Sequence, residues 1–256
     1  MGVHRTAIIE PGAVLGDGVE VGPYCTIGPE VVIGENTTIG ARVTIQGKTR
    51  LGSSNRVFDG AIIGCQTQDK KFDGDGGPVI IGDGNHIREY VTVSAGSHID
   101  ETTIIGDNNL LMAYCHIGHG SHLQNRITLS NCVTLAGHVE IEDDATVGGL
   151  AAIHQFTRIG RLSMIGGCSK VVQDVPPFML CDGHPARTVT INSVGLKRAK
   201  LTRCDVDLLR RAHRLIFRSG KVRSVAIAEL AERANGEPLI ADLLNFMAAS
   251  TRGVGS

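Results

Sequence analysis

The sequence predicts a parallel β-helix of six-residue repeats followed by a smaller α-helical domain. Three observations carry that expectation. An aliphatic residue recurs every six positions over most of the chain, glycine is abundant at 33 of 256 residues, and aromatic residues make up only 4% with no tryptophan. A close-packed core with so few rings is built from small and β-branched side chains in a narrow space.

The repeat starts at Ile9 and steps through Leu15, Val21, Ile27, Ile33, Ile39, Ile45, Leu51, Val57 and Ile63. It misses at Asp69 and Asp75, resumes in phase at Ile81, and runs through Ile87, Val93, Ile99 and Ile105 to Val171. Of these 28 positions, 26 are Ile, Leu or Val, where about a quarter would be expected from ordinary composition. A period of six is neither the 3.6 of a helix nor the 2 of a strand. It describes a short extended segment and a corner, three of which close a turn of about 18 residues. Glycine follows the aliphatic position in Leu15-Gly16, Ile27-Gly28, Ile33-Gly34 and Ile39-Gly40, where a tight corner uses its backbone freedom. Stacked turns lie about 4.8 Å apart and bury their apolar edges against each other.

The interruption at 65–78 (CQTQDKKFDGDGGP) is polar and glycine-rich, and reads as a loop leaving the prism. Such a loop either carries function or is a tolerated insertion. Beyond Val171, Pro176-Pro177 ends the repeat and a linker is expected through Asp182-Gly183-His184-Pro185. The β-helix is therefore assigned to 1–189 and a helical domain to 190–256. Within the latter, Leu208, Leu209, Ala212, Leu215 and Ile216 share one face of a helix over 205–219, with Gly220 as its stop. Further helices are expected over 224–234 and 238–249. This segment has a net charge of +6 and the remainder −7, so its surface suits an acidic partner or is simply solvated.

The overall net charge of −1 argues against nucleic-acid or membrane binding. No apolar run reaches the roughly 18 residues of a membrane span, and the first ten residues lack the pattern of a signal peptide. The seven cysteines are odd in number and scattered without a CxxC pair, which suits reduced thiols in the cytoplasm, mostly as small residues in or near the core. No phosphate-binding loop, nucleophile elbow or zinc-ribbon spacing is present.

Ten histidines remain to be explained. At 18 residues per turn, His116, His119, His138 and His154 project near one edge of the prism on neighbouring turns, with Gly137 one turn from His119. Imidazoles titrate near neutrality, so the strip suits acid–base chemistry. The competing readings are a solvated polar edge, and a zinc site in which His116, His119 and His122 leave one position open.

Seven stretches then resemble a known family, in order and through nearly the whole chain. They are QDKKF (68–72), IGDGNHIREYVTV (81–93), NLLMAYCHIGHGSHLQNR (109–126), TLAGHV (134–139), HQF (154–156), IGGCSKVVQDVPPF (165–178) and GLKR (195–198). The family is that of the bacterial acyl-carrier-protein:UDP-N-acetylglucosamine O-acyltransferases. The resemblance implies a left-handed coil, a homotrimer with active sites between subunits, and no cofactor or metal. It implies transfer of an (R)-3-hydroxyacyl group from acyl carrier protein to the 3-hydroxyl of UDP-N-acetylglucosamine, the start of lipid A synthesis. By the same resemblance, His119 is the general base and the Gly137 N–H the oxyanion donor. Gln68, Asp69, Lys71, His116, His138, His154 and Gln155 contact substrate, Asn192 and Arg198 hold its nucleotide end, and Gly167 limits acyl length.

The likeness breaks at four places. Gly120 stands where an acidic or amide residue usually follows the base, Ser94-Ala95-Gly96-Ser97 replaces a basic segment, Val194 replaces an acidic residue and Ala199 a basic one. Gly120 leaves the imidazolium formed in the reaction without an adjacent orienting group, so either another carboxylate or carbonyl substitutes or the enzyme is slow. A zinc hydratase on the same coil and a non-catalytic nucleotide-sugar-binding protein are the competing readings.

Overall fold

The computed structural model describes residues 2–70, 72, 74–233 and 236–255; Lys71 lies outside these residues. Among the described residues the chain winds about ten turns of a β-solenoid with three sheets of eleven, nine and eight strands, parallel throughout the coil, most strands being two residues long. The expected 18-residue turn sets the register: Ile8 pairs with Thr26, Thr26 with Thr44 and His116 with Thr134. The aliphatic column forms the interior, with Ile27, Ile45, Ile63, Ile117 and Leu135 fully buried. Ile9 and Leu15 are only half-buried, because the first turns have a neighbour on one side alone.

A second inward column lies two residues before the first, filled by small side chains such as Val19, Cys25, Val43, Ala61 and Cys115. Three asparagines belong to it. The Asn85 N–H donates to Asn55 Oδ1, that of Asn109 to Asn85 Oδ1 and that of Ile127 to Asn109 Oδ1, each at 2.8 Å. The buried amides are thereby satisfied by the stacking itself. Of the cysteines, Cys25, Cys115 and Cys181 are buried, Cys65 and Cys132 are half-buried, and Cys168 and Cys204 are exposed.

Two loops leave the prism, where one was expected. Ile62 pairs with Thr92, a turn lengthened by the 65–78 loop, and Thr92 pairs with His116, 24 residues on. The second loop, over 95–102, carries Ile99 outward to 53% exposure, which corrects its expected place in the core. An insertion of six residues preserves the phase of a six-residue repeat, so the aliphatic count ran straight through it. The loops lean together: Gly77 and Gly96 exchange backbone hydrogen bonds of 3.2 and 3.3 Å, and the Ala95 N–H donates to the Cys65 carbonyl at 2.8 Å.

After the last coil turn, Met179–Gly183 and Ala186–Ile191 pair antiparallel and extend the eleven-stranded sheet. The linker expected at 182–185 is thus a hairpin turn; its Gly and Pro mark a change of direction whether or not the flanking segments pair. Among the described residues four helices follow: α1 (Ser193–Arg198), α2 (Arg203–Arg218), α3 (Arg223–Arg233) and α4 (Pro238–Ala248). Helix α2 begins before the apolar pattern does because Thr202 and Asp205 form a capping box. Its Leu209, Ala212 and Ile216 join Phe178, Ile191, Ile240 and Leu243 in a second core. Among the described residues no helix is long and apolar enough to cross a membrane.

Candidate active site

His119 follows the buried strand residue Ile117 and sits at a corner of the prism, 9% exposed. Its ring lies between two carboxylates, one from each loop. Glu101 Oε2 is 3.1 Å from Nδ1, and Asp69 Oδ2 is 3.6 Å from Nε2. The ring meets His138 edge-on, with centroids 4.9 Å apart, and His138 stacks in turn on Phe156 at 4.7 Å. His138 Nε2 lies 3.0 Å from Glu101 Oε1. Glu101 is anchored by the Ser97 hydroxyl, which donates to Oε2 at 2.8 Å, and by the Ser97 backbone N–H.

Gly137 lies one turn along from His119. A Cβ there would collide with His119 Nε2 and lie 2.7 Å from Cε1, so glycine is what allows backbone and ring to approach. Among the described residues the Gly137 N–H has no acceptor. The two residues open onto a cleft of ≈ 410 Å³, also lined by Gln68, Asp69, Ser94, His116 and Gln155. On the far side of the His119–Glu101 contact, Glu101, Gly120 and His138 face a second cleft of ≈ 860 Å³.

Burial opposes ionisation of Glu101, but the hydrogen bonds from Ser97 and His119 outweigh it and hold the carboxyl below its ordinary value. Burial pushes His116 and His138 down, reinforced in both by repulsion from His119; for His138 the Glu101 charge works the other way. His116 Nδ1 is 2.7 Å from the Thr92 hydroxyl.

Comparison with known proteins fits this geometry. The profile of the family described as UDP-N-acetylglucosamine O-acyltransferase, domain 2, matches residues 174–255, and that of the bacterial transferase hexapeptide matches 3–34 and 12–47. An acyl-[acyl-carrier-protein]–UDP-N-acetylglucosamine O-acyltransferase of Aliarcobacter butzleri is 42% identical over 98% of this chain and 97% of its own. Another, from Gloeothece citriformis, is 44% identical over 82% and 75%. The chain belongs to this O-acyltransferase family. A solved UDP-N-acetylglucosamine acyltransferase from Bacteroides fragilis superposes with a TM-score of 0.96 at 34% identity, covering 99% of both chains.

Of the residues the O-acyltransferase resemblance singled out, the structure gathers Gln68, Asp69, His116, His119, Gly137 and Gln155 around one cleft, with His138 against the His119 ring. His154 is exposed at the next turn, its Nδ1 facing the Gln155 carbonyl at 3.0 Å. Gly167 lies further along the coil on an exposed corner. Asn192 is buried, and both ends of its amide are engaged: Oδ1 caps α1 at Gly195 and Nδ2 donates to the Leu162 carbonyl at 2.9 Å. Arg198, in the last turn of α1, does not line the cleft. Nor does His122 join His116 and His119, since its Nε2 faces the Thr102 carbonyl. Among the described residues the trio with ligand-type atoms within 4.8 Å of one another is Glu101, His119 and His138, and there His119 Nδ1 and His138 Nε2 already face Glu101 oxygens. Sequence reasoning missed Glu101, which lies in the insertion that the repeat concealed.

Proposed function

We propose that this protein transfers an (R)-3-hydroxyacyl group from acyl carrier protein to the 3-hydroxyl of UDP-N-acetylglucosamine, with His119 as general base. The reading is carried by one observation: His119 Nε2 faces the cleft directly beside the Gly137 backbone, while Nδ1 is held from behind by a carboxylate. Family membership supplies the substrates. With its proton on Nδ1, the ring presents a lone pair at Nε2 to the sugar hydroxyl. That oxygen attacks the thioester carbonyl as Nε2 takes its proton. The tetrahedral oxyanion accepts a hydrogen bond from the Gly137 N–H. Collapse re-forms the carbonyl and breaks the carbon–sulfur bond, and the imidazolium returns its proton to the departing thiolate. No metal or cofactor enters, because the thioester is already an activated acyl group.

The same reading takes Asp69 as a sugar contact, Lys71 as a phosphate or pantetheine contact, Gln68 as a further substrate contact, His138, His154 and Gln155 as holders of substrate polar groups, and His116 as a supporting histidine of the cleft. It takes Asn192 and Arg198 as the nucleotide end, reached across a homotrimer, and Gly167 as the residue that limits acyl length. Seven free thiols suit the cytoplasm. Incubation with UDP-N-acetylglucosamine and a panel of 3-hydroxyacyl carrier proteins, read by mass spectrometry, tests the reaction and its acyl length. His119→Ala is expected to lower kcat by about 10²–10⁴ with an unchanged melting curve; undiminished turnover would remove His119 as the base. Activity that is lost with zinc on chelation would favour the hydratase reading instead.

A further inference from the structure

We propose that Glu101 is the positioning residue of the catalytic base, supplied by the 95–102 loop in place of a side chain at position 120. The inference rests on His119 being the base. Its first support is geometric: Glu101 Oε2 lies 3.1 Å from Nδ1, the nitrogen turned away from the cleft, and Oε1 lies 3.0 Å from His138 Nε2. An ionised carboxylate there accepts the Nδ1 proton, fixes the tautomer with Nε2 free, and faces the imidazolium as it forms.

The second support is the space at Gly120. A Cβ at this position would lie 2.5 Å from Glu101 Oε1 and 2.7 Å from His138 Nδ1. A side chain at 120 and the Glu101 carboxylate therefore compete for one volume beside His119, and this chain fills it from the loop. The third support is the way the loop is built. A Cβ at either Gly77 or Gly96 would collide with the Glu101 carbonyl oxygen, and Ser97 supplies both N–H and hydroxyl to Oε2. Gly96, Ser97, Glu101 and Gly120 are thus parts of one device. Two of the four departures from the family pattern, at 94–97 and at 120, become a single exchange of one carboxylate position for another.

Among the described residues, Glu101 pairs with His119 and His138, and Asp69 lies beyond the far edge of the His119 ring. Both imidazoles share the carboxylate, so its loss would free both rings.

The test is steady-state kinetics with UDP-N-acetylglucosamine and 3-hydroxyacyl carrier protein on the full chain. Glu101→Gln and Glu101→Ala are expected to lower kcat by about 10²–10⁴ and change either KM less than about threefold, with the acid limb of the pH–rate profile displaced. In Glu101→Ala/Gly120→Asp, an aspartate grows into the vacated volume at a positive φ that Asp tolerates; at least a tenfold recovery of kcat over Glu101→Ala is expected. Gly120→Asp alone, with Glu101 still present, should be slower than wild type. Wild-type kcat and pH profile in Glu101→Gln, beside an inactive His119→Ala, would overturn the role of Glu101 and leave the base in place. A fully active His119→Ala would instead remove the base, and this inference with it. A double variant no faster than Glu101→Ala, or a Glu101→Gln chain with a lowered Tm but full turnover, would also overturn the proposal.

Discussion

Gly137 illustrates how much one missing side chain decides. The three heavy atoms nearest a Cβ at this position all belong to the His119 ring, so an added methyl pushes first on that imidazole. Gly137→Ala is therefore expected to lower kcat by about 10²–10³, the scale of losing one oxyanion donor, while Tm moves by no more than about 2 °C. Turnover near wild type, or a fall in Tm that matches the loss of activity, would show that the close approach of ring and backbone is not what the reaction uses. The pairing of His119 with Gly137 was legible from the sequence, because an 18-residue spacing places both on one edge. Glu101 was not legible: a lone glutamate in a polar stretch carries no periodic mark, and only the folded loop brings it to Nδ1.

Among elements, the 95–102 loop and helix α2 each make a claim that can be checked. Deleting residues 96–101 joins Ala95 to Thr102 and returns the long turn to the standard 18 residues without shifting any aliphatic position. The chain is expected to keep its β-solenoid circular dichroism and a cooperative melt, and to lose activity as severely as Glu101→Ala. Failure to fold would make the loop part of the scaffold rather than an addition to it. In α2, His213 is 5% exposed, its Nε2 has no hydrogen-bond partner among the described residues, and burial pushes its pKa down, helped by Arg218 and Arg214. The unfolded chain takes up a proton near pH 6.5, whereas the folded one resists until lower pH. The unfolded state binds more protons in that window, so stability falls as pH drops through about 6.5. His213→Leu is expected to raise Tm by a few degrees, since an unsatisfied buried polar group costs about 1–3 kcal/mol, and to flatten the decline between about pH 6.5 and 5. An unchanged slope in melts taken across that range would rule out His213 as its source. The helices themselves were readable from their apolar faces; the hairpin before them was not, because its strands, MLCDG and ARTVTI, do not alternate strictly between buried and exposed positions.

At the scale of the whole molecule, the solenoid was legible because every turn reports the same environment, and repetition averages away local exceptions. What joins it to the helical domain left no such trace, since each contact is unique and distant in sequence. Asp174 is the centre of that junction, 1% exposed at the end of the coil. Its Oδ1 accepts the Arg158 N–H at 2.9 Å, its Oδ2 accepts the Ser250 hydroxyl at 2.6 Å, and its own N–H donates to the Gly253 carbonyl. Arg252 reaches back to the Val172 carbonyl, the Thr188 hydroxyl donates to the Gly255 carbonyl, and Arg161 pairs with Asp242 of α4. The C-terminal tail is in this way a strap between two separate cores. Asp174→Ala deletes the acceptor for two donors at once, and hydrogen bonds to a charged group are worth about 1.5–3 kcal/mol each. The expected loss is about 3–6 kcal/mol, or roughly 6–24 °C in Tm, and the two cores should separate into distinct calorimetric transitions. Because the aliphatic core is untouched, the transition of the solenoid should stay near its wild-type temperature while that of the helices falls. A single transition at the original temperature would mean that packing between the cores, rather than the strap, makes them one cooperative unit.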